Sequence, residues 1–241
     1  MTDAITTAPV PKTLKVAARM EGLFSTPVVV GKVEEPQGLI AEIKERVLAR
    51  QAAHPGQKRS NVNGWHSTPD MLDWGGNAAR RVARASIDLA KKMSRFTDGT
   101  ADDYDFDVTM WANVSGPGAY NQPHTHAGIL WAAVFYVDAG MEGADGDVGG
   151  RIYFEDPRHP LPTMRLGSFR MAGADGKPQD YQSSIRPAAG DLILFPAWLK
   201  HGVEPYSGTS QRISLAMNID VANRVAKPRA VPPQTSPTPG A

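Results

Sequence analysis

Asn121-Gln122-Pro123-His124-Thr125-His126 is answered some seventy residues later by Gly190-Asp191-Leu192-Ile193-Leu194-Phe195-Pro196-Ala197-Trp198-Leu199-Lys200-His201, and then by Arg212-Ile213-Ser214. Histidines at i and i+2 on an extended segment project to one face, because side chains alternate along a strand. Gly116-Pro117-Gly118 and Pro123 are turn residues, so the pair is expected at the mouth of a strand. Leu192 to Phe195 is short and apolar, and Pro196 ends it, which puts His201 just past a buried strand, where sites are commonly built. Arg212 and Ser214 follow eleven and thirteen residues later and share a face, with Ile213 and Leu215 on the other. An inward arginine is costly unless it meets an anion. Its planar fork takes a carboxylate bidentately, and a neighbouring hydroxyl adds a third hydrogen bond. The pattern predicts a facial metal site beside a carboxylate clamp. Two blander readings stand beside it: hydrogen-bonded loop histidines, and an arginine paired with an internal acid.

Working outward, the period of the apolar residues changes along the chain. Leu23 to Val30 reads as an opening strand. Leu39, Ile40, Ile43, Val47 and Leu48 fall three and four apart, which predicts a helix over 36–53 with Pro36 in its first turn. Val82, Leu89, Met93 and Phe96 form one stripe of a second helix over 77–96, with its arginines and lysines on the solvated side. From Tyr104 the period becomes two: Phe106, Val108, Met110, Ala112 and Val114 alternate with polar or aromatic residues. Further apolar runs follow at Leu130 to Val137, Arg151 to Phe154, Leu192 to Phe195 and Ile213 to Ile219, separated by Gly, Pro and Asp. Two helices followed by many short strands predict an α+β chain whose β core, about 104–220, is a sandwich or barrel. Residues 1–20 and the Pro-rich 222–241 read as disordered tails around one domain, 21–221. The Gly-rich stretches 140–150 and 167–186 have the length of lids.

Composition narrows the partners. The 241-residue chain has 26 basic and 25 acidic residues, a net charge of +1, and no cysteine. Disulfides and thiolate metal sites are therefore excluded, and any metal must rest on imidazole, carboxylate or carbonyl. No basic stripe suggests nucleic acid, and no apolar run is long enough to span a bilayer. The expectation is a cytoplasmic protein acting on a small molecule, with nothing in the sequence specifying an oligomeric state.

The motifs quoted above resemble those of the Fe(II)/2-oxoglutarate-dependent oxygenases, in particular a group of bacterial and phage members. Leu23-Phe-Ser-Thr-Pro27, Ser60-Asn-Val-Asn-Gly-Trp65-His66-Ser67 and Phe154-Glu-Asp-Pro-Arg158 extend the likeness, which covers roughly residues 23–220. The resemblance implies a double-stranded β-helix (jelly-roll, cupin-like) with N-terminal helices packed on it. It implies Fe(II) as metal and 2-oxoglutarate as co-substrate, with hydroxylation as the default outcome and succinate and CO2 as products. Carried over by position, His124 and His201 are iron ligands, and Arg212 with Ser214 holds the far carboxylate of 2-oxoglutarate. Asn121 is a candidate for the keto acid or the substrate. Where the family usually has Asp or Glu, this chain has His126. Either His126 binds the metal, or that position stays open, or a carboxylate such as Asp156 or Glu155 reaches in. Trp111 and Asn113 are expected to line the cavity, and Trp65-His66-Ser67 to close over it. Arg158 and His159 are weaker candidates for an anionic substrate. The alternatives in function are a three-histidine cupin dioxygenase that uses no keto acid and a non-catalytic β-sandwich binding module.

Overall fold

The structure, a computed structural model, describes residue 17 and residues 24–34, 36–141, 146–158, 168–173 and 175–224. Most of both expected tails, His159, and parts of both lid stretches lie outside these residues. No helix among the described residues is long and apolar enough to cross a membrane.

Among the described residues nine strands and three α-helices follow in the order β1 Val29–Lys32, α1 Gln37–Ala53, β2 Asn61–His66, α2 Met71–Trp74, α3 Gly76–Met93, β3 Tyr104–His124, β4 Trp131–Asp138, β5 Ile152–Glu155, β6 Gln182–Ile185, β7 Asp191–Pro196, β8 His201–Tyr206 and β9 Arg212–Arg224. The hydrogen-bonded order is β1-β7-β4-β9-β3-β8-β5-β6, with β2 also on β3. Every strand pair is antiparallel. β3 belongs to both halves of this path. Its residues 104–115 pair with β9, and its residues 119–124 pair with β8. The change of partner falls at Gly116-Pro117-Gly118, where Gly118 takes φ +78° and a side chain would be strained. β2 runs along β3 across this bend, from His66 opposite Asn113 to Asn61 opposite Asn121. The result is the expected double-stranded β-helix, a jelly-roll with helices on one face.

The parity of each strand decides what it faces. Ala133, Phe135 and Val137 of β4, Leu192 and Leu194 of β7, and Ile213, Leu215, Met217 and Ile219 of β9 pack against α1 and α3. Their alternates, Ala132 and Tyr136, and Ile193 and Phe195, face the barrel interior with Ile152 and Phe154 of β5. Strands buried on both faces read as continuous apolar runs, which is why β4 and β7 were conspicuous in the sequence. Helix α3 buries Ala78, Ala79, Val82, Ala83 and Ala90, and these small side chains let it lie close on the sheet. Phe135, Leu194, Ile213 and Leu215 are each fully buried, and each contributes roughly 1.5–3 kcal/mol.

Four boundaries differ from expectation. Helix α3 stops at Met93: Ser94 turns extended, with its N–H shared between the Ala90 and Lys91 carbonyls (2.9 and 3.2 Å) and its hydroxyl donating to the Ala90 carbonyl at 2.8 Å. Phe96 therefore leaves the helical stripe and stacks on Tyr104 at 4.0 Å. Strand β1 begins at Val29, since Phe24 has φ +60° and is solvent-exposed. β9 continues past the expected core end to Arg224, paired with Tyr104. β6 occupies part of the second expected lid stretch, on β5.

Candidate metal centre and cavity

His124 ends β3 and His201 begins β8, and the two are direct partners in the antiparallel register. His126 lies two residues beyond β3, its N–H donating to the Ala197 carbonyl at 2.9 Å. The three rings stand 4.4–5.1 Å apart between centroids. One ring nitrogen from each lies within 4.8 Å of the others.

In each ring Nδ1 is already engaged. His124 Nδ1 donates to the Gln122 carbonyl and His201 Nδ1 to the Leu199 carbonyl, both at 2.8 Å. His126 Nδ1 is 2.5 Å from Asn218 Oδ1. Carbonyl oxygens only accept, so the proton sits on Nδ1 and the Nε2 lone pair is left free. Burial holds all three imidazoles below the usual histidine range. For His201 burial is the first cause, with the neighbouring His124 and His126 adding to it, and the pKa falls to about 3. At neutral pH the set is neutral, the form that binds metal.

These rings open on a cavity of about 430 Å³. Its floor is the inward parity of β9, Arg212, Ser214, Ala216 and Asn218, flanked by Trp111 and Asn113 of β3 and Tyr136 of β4. Ser214 stands opposite both Asn113 and Tyr136 in register. Arg212 is 2% exposed and its guanidinium lies over the Tyr136 ring, 5.1 Å from the centroid. Among the described residues it has no ion pair. Burial pushes the Tyr136 phenol up, with the Arg212 charge opposing it. Five buried side-chain polar atoms among the described residues lack a hydrogen-bond partner: Gln57 Oε1, Asn113 Oδ1, His126 Nε2, Tyr136 Oη and Arg212 Nε. All five residues line this one cavity. Unsatisfied buried groups cost about 1–3 kcal/mol each, so their gathering here marks a site shaped for something polar. The orphaned His126 Nε2, with two further free Nε2 atoms beside it, fits a first-row divalent metal.

His124, His126, His201, Arg212, Ser214, Asn121, Trp111 and Asn113 are thus brought to one cavity, as is His66. Asn121 stands at the mouth, its Nδ2 donating to Ser60 Oγ at 3.2 Å. The carboxylates considered as third ligand are engaged elsewhere. Arg158 grips Asp156, and Lys200 pairs with Glu155 at 2.8 Å. Neither acid lines the cavity. Arg158, paired with Asp156, does not line this cavity either. Residues the sequence reading passed over are Tyr136, hidden in an apolar run, Asn218, and Gln57 and Arg59. Asn218 had a signal, because it shares the parity of Arg212 and Ser214.

Residues 109–218 match the model of the family described as "Putative 2OG-Fe(II) oxygenase". Among curated proteins, none matches the sequence. Solved structures share the fold. A prolyl-4-hydroxylase from Pseudomonas putida is 18% identical with a TM-score of 0.53, over 81% of this chain and 93% of that one. A prolyl hydroxylase from Trichoplax adhaerens, in complex with a hypoxia inducible factor peptide, is 14% identical with a TM-score of 0.55, over 80% and 83%. The epimerase SnoN, in complex with Fe3+, alpha ketoglutarate and nogalamycin RO, is 18% identical with a TM-score of 0.56, over 88% of each chain.

Proposed function

We propose, from the match of residues 109–218 to the 2OG-Fe(II) oxygenase family model and the site they build, that this chain is a dioxygenase hydroxylating a small or amino-acid-like molecule. In this reading His124, His126 and His201 hold the iron through Nε2. Arg212, with Ser214 and Tyr136 beside it, holds the far carboxylate of 2-oxoglutarate. A ferrous centre with bound 2-oxoglutarate would supply reaction with dioxygen, one oxygen atom entering succinate as the keto acid loses CO2 and the other entering a substrate C–H bond. The chain's own residues bind and orient. The Gln122 and Leu199 carbonyls and Asn218 fix the three imidazole tautomers. The apolar walls, Ala132, Val134, Ile152 and Phe195, restrict water around the reacting groups. A cysteine-free chain suits cytoplasmic work of this kind.

The observation that carries the reading is Arg212. A guanidinium 2% exposed, with an unsatisfied Nε and no acid paired to it among the described residues, shares its cavity with three free imidazole nitrogens. A three-histidine dioxygenase that uses no keto acid would leave that buried charge uncompensated, at considerable cost. The test is succinate formation that requires both iron(II) and 2-oxoglutarate. Arg212→Ala should lose about 2–5 kcal/mol of 2-oxoglutarate affinity, roughly 30- to 5,000-fold, while iron content stays the same. An unchanged affinity would overturn the clamp assignment.

A further inference from the structure

We infer that the substrate carries an oxyanion, a carboxylate or a phosphate monoester, bound at the cavity mouth by Arg59 with the Gln57 amide and the Ser60 hydroxyl beside it. This deepens the proposed function and rests on it, since it takes Arg212 as occupied by 2-oxoglutarate.

The charge of the lining is one-sided. Two guanidiniums and four imidazoles face the cavity, and no Asp or Glu does among the described residues. Burial is the main reason His66 stays below the usual histidine range, and the Arg59 charge adds to it. At the mouth, Arg59 is therefore the cation. Its guanidinium has no hydrogen bond or ion pair among the described residues, and Gln57 on the same wall carries an amide whose Nε2 can donate to an anion, its Oε1 being buried without a partner.

This wall is built rather than loose. Gly56, at φ +76°, lies so close to Trp65 that a Cβ would come within 2.7 Å of its ring and of the His66 carbonyl. The Gln57 N–H donates to the His66 carbonyl at 2.7 Å. Asn61 clasps the loop from within: its Nδ2 donates to the Gln57 and Gly64 carbonyls (3.2 and 2.8 Å), and its Oδ1 accepts the Arg59 N–H at 2.7 Å. The Ser60 carbonyl accepts the Gln122 N–H at 2.9 Å, and Asn121 Nδ2 reaches Ser60 Oγ. The backbone under Arg59 is thereby tied to β2 and to the strand that ends in His124. An anion held here faces the metal ligands across one cavity. The wall also lies outside residues 109–218, the stretch shared with the family, as expected of a part that selects one substrate.

The test uses full-length protein loaded with nickel and saturating 2-oxoglutarate, probed by ligand-observed NMR. The probes are matched pairs: N-acetylated amino acids against their C-terminal amides, and alcohols against their phosphate monoesters. Charged members should bind in preference to their neutral partners, and the pair with the larger preference identifies the oxyanion. In Arg59→Gln the preference should fall roughly tenfold to a hundredfold, the weight of one charged hydrogen bond, with 2-oxoglutarate affinity unchanged. Three results would overturn the inference: no preference in the wild type, no binding by either charged class, or a preference that survives Arg59→Gln. Failure of 2-oxoglutarate to bind, with an Arg59-dependent preference intact, would instead remove the proposed function and leave the anion site standing.

Discussion

Acid should weaken the metal-stripped protein through its buried histidines, His201 above all. In the folded chain burial lowers this imidazole to about pKa 3, whereas an unfolded histidine titrates near 6.5. The sign follows from proton counts. Below about pH 6.5 the unfolded chain takes up a proton at residue 201 and the folded chain does not, so stability falls as pH falls. The full stability is present above pH 6.5, and the loss is complete only near pH 3. Each pH unit in between is worth about 1.4 kcal/mol, so moving from pH 6.5 to 4.5 should remove roughly 2–3 kcal/mol at this site. His124 and His126 are shifted the same way and add to the slope. The lowered carboxyls Asp70, Asp147 and Asp156 act mainly below this window, because their ordinary value is 3.8. The assay is urea unfolding of chelator-treated protein at the two pH values, for the wild type and His201→Gln. Glutamine does not titrate, and any packing defect it introduces weighs on both pH values alike. The wild type should lose roughly 2–3 kcal/mol more than the variant over the interval. Equal losses in the two proteins would refute the reasoning, since they would mean that residue 201 is free to protonate in the fold.

Asn218→Ala should weaken nickel or cobalt binding about 10- to 100-fold by releasing the His126 ring, read by spectroscopic titration of the metal alone. Asn218→Asp, which keeps an acceptor for Nδ1, should retain most of that affinity. Tyr136→Phe should leave urea stability level or slightly raised, because the buried hydroxyl it removes has no partner. It should weaken 2-oxoglutarate roughly 2- to 12-fold, the range of one ordinary hydrogen bond. A stability loss there, or an unmoved keto-acid affinity, would show that the hydroxyl serves the fold and not the ligand.

How much of this was legible in the sequence depended on the length scale of the signal. Strand parity is a local property, and it correctly put Arg212 and Ser214 on the face opposite Ile213 and Leu215, and His124 beside His126. Helix periodicity found α1 nearly to the residue. It overran α3 by a turn, because Phe96 keeps the apolar spacing of the stripe but leaves the helix to stack on Tyr104, a tertiary contact that the spacing does not register. Strands β2, β6 and β8 escaped for another reason. Their sequences, such as Gln182-Ser-Ser-Ile185, are polar and short, and only their neighbours make them strands. The contents of the site divide in the same way. Asn218 was readable from parity alone, two steps beyond Arg212-Ile-Ser214. Tyr136 was not, since nothing in Trp131-Ala-Ala-Val-Phe-Tyr136 tells which aromatic meets a guanidinium until β4 is set beside β9. Gln57 and Arg59 reach the mouth through the local Asn61 clasp and the β2–β3 register, which pairs residues as far apart as Asn61 and Asn121.

The unusual feature of the cavity is its charge, and His126 and Arg59 bear on it together. With an acid in place of His126, a divalent metal bound by that set would carry a net charge of +1. Three neutral imidazoles leave it at +2, which the two carboxylates of 2-oxoglutarate cancel. With Arg212 holding one of those carboxylates, the assembly then keeps one net positive charge, and Arg59 adds a second at the mouth, with no acid among the described lining residues to oppose either. Around the buried Arg212 and the imidazoles screening is weaker than in water, so the excess favours a further anion, while Arg59, exposed at the mouth, attracts it. His126 in the metal set and Arg59 at the mouth thus push in the same direction, toward a substrate that brings its own negative charge.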